Sequence, residues 1–136
     1  MTGLAATATL PGLNDAADDL TVSCIPNALA LFNPVYDNGP LGYGFERIGD
    51  RYLEISPLHN LRKGMPPTIV FMGTEDVYVP VTTAKRFDAE IEGLGGRCDT
   101  HFYEGAEHGF FNQDPSFTDT LQKLDAFFVS LNYIEE

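Results

Sequence analysis

The sequence predicts an α/β domain in which about three short parallel strands are flanked by helices. Apolar, β-branched runs alternate along the chain with segments of helical periodicity. Proline and glycine residues mark the ends of most of these segments. The 136 residues suffice for one compact domain, so residues 1–136 are treated as a single domain.

The first third of the chain predicts one helix, one loop and one strand. Met1–Leu10 is rich in Ala and Thr and predicts a short helix that ends at Pro11–Gly12. Asn14–Asp19 is polar and acidic, which is typical of a loop. Ala28–Phe32 is a short apolar run closed by Asn33–Pro34, so it predicts a buried strand.

The middle of the chain is irregular and then gives the clearest strand. Turn residues are frequent over 36–64, and Phe45–Tyr52 has room for a helical turn or two. Ser56–Pro57 begins another short element that ends by Gly64. Thr68–Met72 is apolar or β-branched throughout, so it predicts a strand buried on both faces.

The last third predicts helix, strand and helix. Pro80 opens the first helix, and Gly95–Gly96 ends it. Cys98–Tyr103 alternates in polarity, which indicates a strand nearer the sheet edge. Asp114 is the expected N-cap of the final helix, with Pro115 at its first position. The expected apolar faces are Ala84, Phe87, Ile91 and Leu94 in the first helix and Phe117, Leu121, Leu124, Phe128 and Leu131 in the second.

Charge and composition exclude several functions. The net charge of −12 disfavours nucleic-acid binding, and no apolar run reaches the length of a membrane span. Met1 is not followed by a basic segment, so a cytoplasmic location is expected for this chain, although a longer parent could be exported. Cys24 and Cys98 form no metal-binding motif, so neither a metal nor a cofactor is expected. Both are expected as small buried side chains, with a disulfide between them left open.

Ligands of parallel sheets bind beyond the carboxyl ends of the strands, which directs attention to the loops after Phe32, Met72 and Tyr103. Asp76 follows the second of these strands and can orient an imidazole, or it can simply complement a helix dipole. His108 follows the third and can act as a general base, or it can be a solvated loop residue. Neighbouring parallel strands would bring both loops to one rim.

Other polar and aromatic residues in this region have simpler interpretations. Glu75 is the alternative to Asp76 as the acid. His59 and His101 are expected to be structural, the latter partly exposed in its strand. Phe110–Phe111 could line an acyl pocket, but packing in the core is the favoured interpretation.

Two segments resemble the acid and histidine motifs of the α/β-hydrolases. They are Gly73-Thr74-Glu75-Asp76 with Val79-Pro80, and Tyr103-Glu104-Gly105 with His108-Gly109-Phe110. The similarity is greatest to the esterase/lipase and dienelactone-hydrolase-like branch, which overlaps the prolyl-oligopeptidase catalytic domain. It covers nearly the whole chain but only the second half of the family's domain. The resemblance implies a partial α/β-hydrolase fold in which Asp76 is the triad acid and His108 is the base.

The resemblance fails at the nucleophile. The family's serine lies in a G-x-S-x-G turn, whereas the serines here, at positions 23, 56, 116 and 130, have no such context. Thr2–Ala6 resembles the helix that follows this turn, so the chain is expected to begin just after the nucleophile. The oxyanion donors would then be absent as well.

The expected function is therefore that of a carboxylesterase or lipase that acts on a small ester, with little or no activity in the isolated chain. The alternative is a non-catalytic, oligomerising module derived from the same fold. A third interpretation is a flavodoxin-like domain. The sequence has no phosphate-binding glycine loop after a strand, which counts against nucleotide binding. The strand at Ala28–Phe32 would lack the neighbour it has in the family, so a homo-oligomer is expected, most simply a dimer.

Overall fold

A computed structural model describes residues 14–23 and 25–135 and contains one parallel sheet. Its strands are β1 (Leu29–Phe32), β2 (Thr68–Gly73) and β3 (Cys98–Tyr103), in the order β1-β2-β3. β2 pairs with both of its neighbours, Leu31 lying beside Val70 and Phe71 beside His101. The predicted parallel sheet and its three strands are confirmed. The helix predicted at Met1–Leu10 lies outside the described residues.

Two long helices and several short ones connect the strands. Helices α1 (Phe45–Ile48) and α2 (Tyr52–Ile55) flank a 3-10 turn in the segment between β1 and β2. Helix α3 (Val81–Gly93) joins β2 to β3, and α4 (Ser116–Ser130) follows β3. The turn between α1 and α2 is the 3-10 helix Gly49–Arg51, and the described residues contain two more 3-10 helices, Pro57–His59 and Phe110–Asn112.

Helix α3 covers one face of the sheet. Its residues Ala84, Phe87 and Ile91 are buried against the β-strands, as their helical spacing predicts. The ring of Phe87 contacts that of Tyr36 with centroids 4.8 Å apart. Gly95, with a φ of 80°, ends the helix in the left-handed conformation that glycine tolerates without strain. This face is the larger of the two core clusters.

Helix α4 covers the opposite face only in part. Phe127 is buried there against Ile69 and Phe71 of β2, with other apolar side chains packed around them. Phe117 and Leu121, however, are 53% and 54% exposed. The predicted apolar face is therefore confirmed only for Leu124, Phe128 and Leu131, which pack on this core. The fully buried positions of α4 are Thr120 and Phe127, which the predicted face did not include.

Two expectations about element ends and burial are wrong in detail. β1 is an edge strand of the described sheet: Leu29 and Leu31 face the core, but Ala30 is exposed on the other face. The N-cap position of α4 is occupied by Pro115, one residue after the expected Asp114. The carboxylate of Asp114 still accepts hydrogen bonds from the backbone and hydroxyl of Thr118, at 3.2 and 2.6 Å. Side-chain capping is thus kept although the boundary moves.

Two further features concern the helices and the cysteines. Of the helices in the described part of the chain, none has the length and apolar character needed to cross a membrane. Cys98 is buried and forms no disulfide with a described residue. Cys24 lies outside the described residues.

Candidate active site

The loops that follow β2 and β3 are joined by backbone hydrogen bonds. The amide of Thr74 donates to the carbonyl of Tyr103, and the amide of Glu75 donates to that of Ala106, each at 3.0 Å. The two chains approach so closely that a Cβ on Gly73 would lie 2.3 Å from the Ala106 carbonyl oxygen. Only glycine fits this position without displacing the loop. The contact fixes the two loops relative to each other.

This contact brings Asp76 and His108 together. Oδ2 of Asp76 lies 2.8 Å from Nδ1 of His108. Asp76 is only 8% exposed, whereas the side chain of His108 is 43% exposed. An ionised carboxylate only accepts hydrogen bonds, so Nδ1 carries the proton and Nε2 of the neutral ring has a free lone pair. The geometric expectation for this pair is confirmed.

Four donors surround the carboxylate of Asp76. Oδ1 accepts the backbone amides of Tyr78 and Val79, at 2.8 and 3.1 Å, while Oδ2 accepts the side-chain amide of Asn33 in addition to His108. Burial raises the pKa of Asp76, but the hydrogen bonds from His108, Tyr78, Asn33 and Val79 outweigh it and lower the pKa below its usual value. The group therefore remains ionised while lying inside the protein.

Asn33 is the site residue that the sequence interpretation missed. It follows β1 directly, is 4% exposed and has a φ of 42°, a left-handed conformation that asparagine adopts more readily than most residues. Its Nδ2 donates to Asp76, but its Oδ1 has no hydrogen-bond partner among the described residues. The available signal was its position, because it begins the loop after the first strand.

His108 opens onto a cavity of about 600 Å³. The ring of Tyr78 meets the His108 ring edge to face, with centroids 5.2 Å apart. Tyr43 in turn meets Tyr78 edge to face at 6.2 Å, so two tyrosines extend the wall away from His108. The lining also includes Gly44, Arg47, Ile48 and Ile55.

The remaining candidate residues do not join the site. Glu75 is exposed, so Asp76 and not its neighbour meets the imidazole. His101 is half-buried and stacks on Phe71 at 5.6 Å. Phe110 packs on Tyr103, which agrees with the favoured core interpretation.

A serine–histidine contact elsewhere in the fold is structural. Ser56 Oγ lies 2.9 Å from Nδ1 of His59, and Asp37 lies 3.9 Å from the same ring nitrogen. A proton relay needs the acid and the nucleophile on opposite nitrogens of the imidazole. Ser56 is also fully buried and accepts the backbone amide of Asn38. This cluster therefore stabilises the loop after β1, as expected for His59.

The site holds an acid and a base, and among the described residues no metal-binding cluster accompanies them. No three His, Cys, Asp or Glu side chains of the described chain are grouped so that they could hold a metal ion. Within 14–23 and 25–135, the hydrogen bond of the His108 ring is to Asp76 and not to a serine. The arrangement can accept a proton at Nε2 and stabilise the resulting imidazolium.

The sequence and the fold are similar to those of known hydrolases. The model of the prolyl oligopeptidase family matches residues 30–132. A probable isoprenylcysteine alpha-carbonyl methylesterase of Arabidopsis thaliana is 38% identical over 52 residues, which is 38% of this chain and 11% of that protein.

Solved structures of esterase 2 from Thermogutta terrifontis superpose closely. The form phosphoramylated by tabun has a TM-score of 0.87 at 36% identity and is matched over 97% of this chain and 52% of its own. The propionate-bound form has a TM-score of 0.80 at 34% identity, with 93% and 50% covered. The butyrate-bound form has a TM-score of 0.84 at 34% identity, and the match covers 96% of this chain and 52% of that one. This chain thus spans about half the length of the esterase structures that it matches.

Proposed function

Because the chain belongs to the prolyl oligopeptidase family and has part of the α/β-hydrolase fold, we propose that it supplies the acid and base of a carboxylic ester hydrolase. The observation that carries this proposal is the 2.8 Å contact between Asp76 and His108 at the mouth of a cavity. A buried carboxylate on one ring nitrogen and an open cavity at the histidine are two of the features that acyl transfer to a hydroxyl nucleophile requires.

Each residue has a distinct task in this proposal. Nε2 of His108 removes the proton of an attacking hydroxyl and later returns a proton to the leaving alcohol. Asp76 keeps the ring in the Nδ1–H tautomer and stabilises the imidazolium that forms in between. Its four hydrogen bonds hold the carboxylate still, so the ring it orients is held as well.

In this proposal, none of the serines of this chain is the nucleophile. Ser56 is buried and bonded to His59, and Ser130 donates to the carbonyl of Phe127 at 2.6 Å. No serine of the sequence lies in a G-x-S-x-G turn. We propose that another polypeptide segment provides the serine and the oxyanion donors, and that the isolated chain hydrolyses esters weakly or not at all.

Small esters are the proposed substrates. The Thermogutta esterase 2 forms bound to propionate and butyrate favour a short acyl group for related proteins. The aromatic wall beside His108, formed by Tyr78 and Tyr43, suits apolar parts of such a molecule. A lipase-like preference for long acyl chains is the less favoured variant of this proposal.

Labelling and turnover assays test the proposal on the isolated chain. We expect no stoichiometric labelling by a fluorophosphonate probe and little hydrolysis of p-nitrophenyl acetate. Labelling of one serine, with turnover that is lost in His108→Ala, would show that the chain contains its own nucleophile. Turnover that survives His108→Ala would instead remove His108 from the mechanism.

A second candidate function is a non-catalytic module that assembles into a homo-oligomer, most simply a dimer. It is favoured by the edge position of β1 and by an apolar groove of about 240 Å³ beside it. The exposed side chains of Phe117 and Leu121 belong to this groove. An unpaired strand edge next to apolar surface promotes association. The groove is lined by Phe32, Phe111, Asn112, Phe117, Thr120, Leu121 and Leu124.

A further inference from the structure

The charges around the cavity at His108 differ from those of the chain as a whole. The sequence contains 20 acidic residues and 8 lysines and arginines. None of the described residues that line the cavity is an aspartate or glutamate, and Arg47 is the one permanently charged residue among them. In a chain this acidic, such a lining creates a local environment that an anion tolerates.

A chain of aromatic contacts connects Arg47 to His108 along the lining of the cavity. Its guanidinium carbon is 5.3 Å from the centre of the Tyr43 ring, and Tyr43 is separated from His108 by the ring of Tyr78. Two aromatic rings therefore separate the cation from the imidazole. The Tyr43 side chain holds the guanidinium in place, both by lying under it and by a hydrogen bond that raises the pKa of Arg47.

Besides Tyr43, the competing partner of Arg47 is a weakly bound carboxylate. Glu46 is its neighbour in sequence, and its Oε1 lies 3.3 Å from Nε of Arg47. The two side chains are 73% and 64% exposed, and such surface ion pairs contribute little. Nε is only one of the donors of the guanidinium, so a second carboxylate can still bind at the terminal nitrogens in a bidentate manner.

The negative charge of Asp76 would orient an anionic ligand in the cavity. The carboxylate of Asp76 lies directly behind His108 with a fully buried side chain, so the negative charge of the site is at that end. A second anion is repelled there and attracted to the Arg47 end. A molecule with an ester at one end and a carboxylate at the other would consequently place its ester at the imidazole.

We propose that Arg47 forms a subsite for a carboxylate, so that the preferred esters are half-esters of dicarboxylic acids. This inference rests on the proposed ester hydrolysis at His108. The two tyrosine rings between Arg47 and His108 would contact the methylene chain that connects the two ends of the ligand. The separation favours a linker of several methylene groups over a short one.

Binding to the whole chain tests this subsite without any need for turnover. Monomethyl succinate, monomethyl adipate and monomethyl suberate are titrated against the ¹⁵N-labelled protein, with neutral methyl hexanoate as the reference. We expect the adipate or suberate half-ester to bind more tightly than the succinate one. Arg47→Met should weaken binding of the best half-ester roughly five- to tenfold and leave methyl hexanoate within about twofold.

Arg51→Met is the matched control, because Arg51 is an exposed arginine that pairs with Glu54 and does not line the cavity. It should leave the binding of every ligand unchanged, and the amide spectra of both variants report whether they are folded. The subsite is refuted if Arg47→Met weakens the neutral and the anionic ester equally, or if it weakens neither. Because binding is measured, this result is independent of whether His108 catalyses hydrolysis.

Discussion

Asn33 donates its side-chain amide to Oδ2 of Asp76, the same oxygen that faces the imidazole of His108. The first strand thus contributes to a pair that the second and third strands provide. Two donors on one oxygen leave little freedom for the carboxylate to rotate. The orientation of His108 therefore depends on all three strands of the sheet.

Replacing Asn33 should destabilise the fold by two separable effects. Asn33→Ala removes a donor from a buried carboxylate, which costs about 1–3 kcal/mol. It also places alanine at a φ of 42°, and this left-handed conformation costs about 1 kcal/mol more for alanine than for asparagine. Urea unfolding measures the total change in the free energy of unfolding.

Asn33→Gly separates the two effects, because glycine also lacks the donor but accepts the positive φ. We expect Asn33→Gly to be more stable than Asn33→Ala by about 1 kcal/mol. Equal stability of the two variants would mean that backbone conformation contributes nothing here. A wild-type stability in both would contradict the assigned role of the Asn33 amide.

The stability contributed by Asp76 should depend on pH. Its pKa is lowered in the folded protein, so its contribution is complete above the unfolded pKa of about 3.9 and is lost as the pH falls through the folded pKa. In Asp76→Asn, an amide NH₂ group faces hydrogen-bond donors that bind a carboxylate oxygen in the wild type. This should lower the free energy of unfolding by on the order of 2 kcal/mol at pH 7. The difference between wild type and Asp76→Asn should narrow below about pH 4.

Urea titrations at several pH values measure this difference, with exposed Asp50→Asn as the control. The control should show a small difference at pH 7, because the Asp50 side chain is exposed. A gap for Asp76→Asn that widens toward pH 3 would contradict the lowered pKa.

The sheet and the contact between Asp76 and His108 could be predicted from local signals. Thr68–Met72 is continuously apolar and hence forms the central strand, and the loops after it and after Tyr103 necessarily meet at one rim. The role of Asn33 could not be predicted in this way. Its partner Asp76 is 43 residues away, and nothing adjacent to it in sequence indicates a buried carboxylate.

Burial on the outer faces was equally hard to predict. Periodicity indicates which side of α4 is apolar but not whether another element covers it, and Phe117 and Leu121 are in fact exposed. The same holds for Ala30 on the uncovered face of β1. Whether an apolar face is buried depends on which other helices and strands pack against it, and a local sequence pattern does not contain this information.

Cys98 should be unreactive in the folded protein. Burial raises the pKa of its thiol to about 12, so almost no thiolate is present at pH 8. We expect iodoacetamide to modify Cys98 slowly in buffer and rapidly in urea, as followed by peptide mass spectrometry. Mapping distinguishes it from Cys24. Rapid modification of Cys98 in the native protein would indicate that the strand β3 opens locally.

The apolar groove should mediate association. If a second copy covers Phe117 and Leu121, sedimentation equilibrium at micromolar concentration will show a dimer. Leu121→Glu should then weaken dimerisation at least about tenfold because it buries a charge. Leu53→Glu, at another exposed leucine outside the groove, should have no effect. A monomer whose melting is independent of concentration would refute association.

We propose that His108, held by Asp76, is the base of an ester hydrolase whose nucleophile lies on another segment. The most direct test of this claim is to fuse this chain to the part of Thermogutta esterase 2 that it does not match and to measure kcat/KM for p-nitrophenyl butanoate. We predict hydrolysis that falls about 1,000-fold or more in His108→Ala. Half-buried His101 is the control, and His101→Ala should retain activity within about threefold. A folded fusion that reacts with a fluorophosphonate probe but keeps its full activity in His108→Ala would contradict the claim.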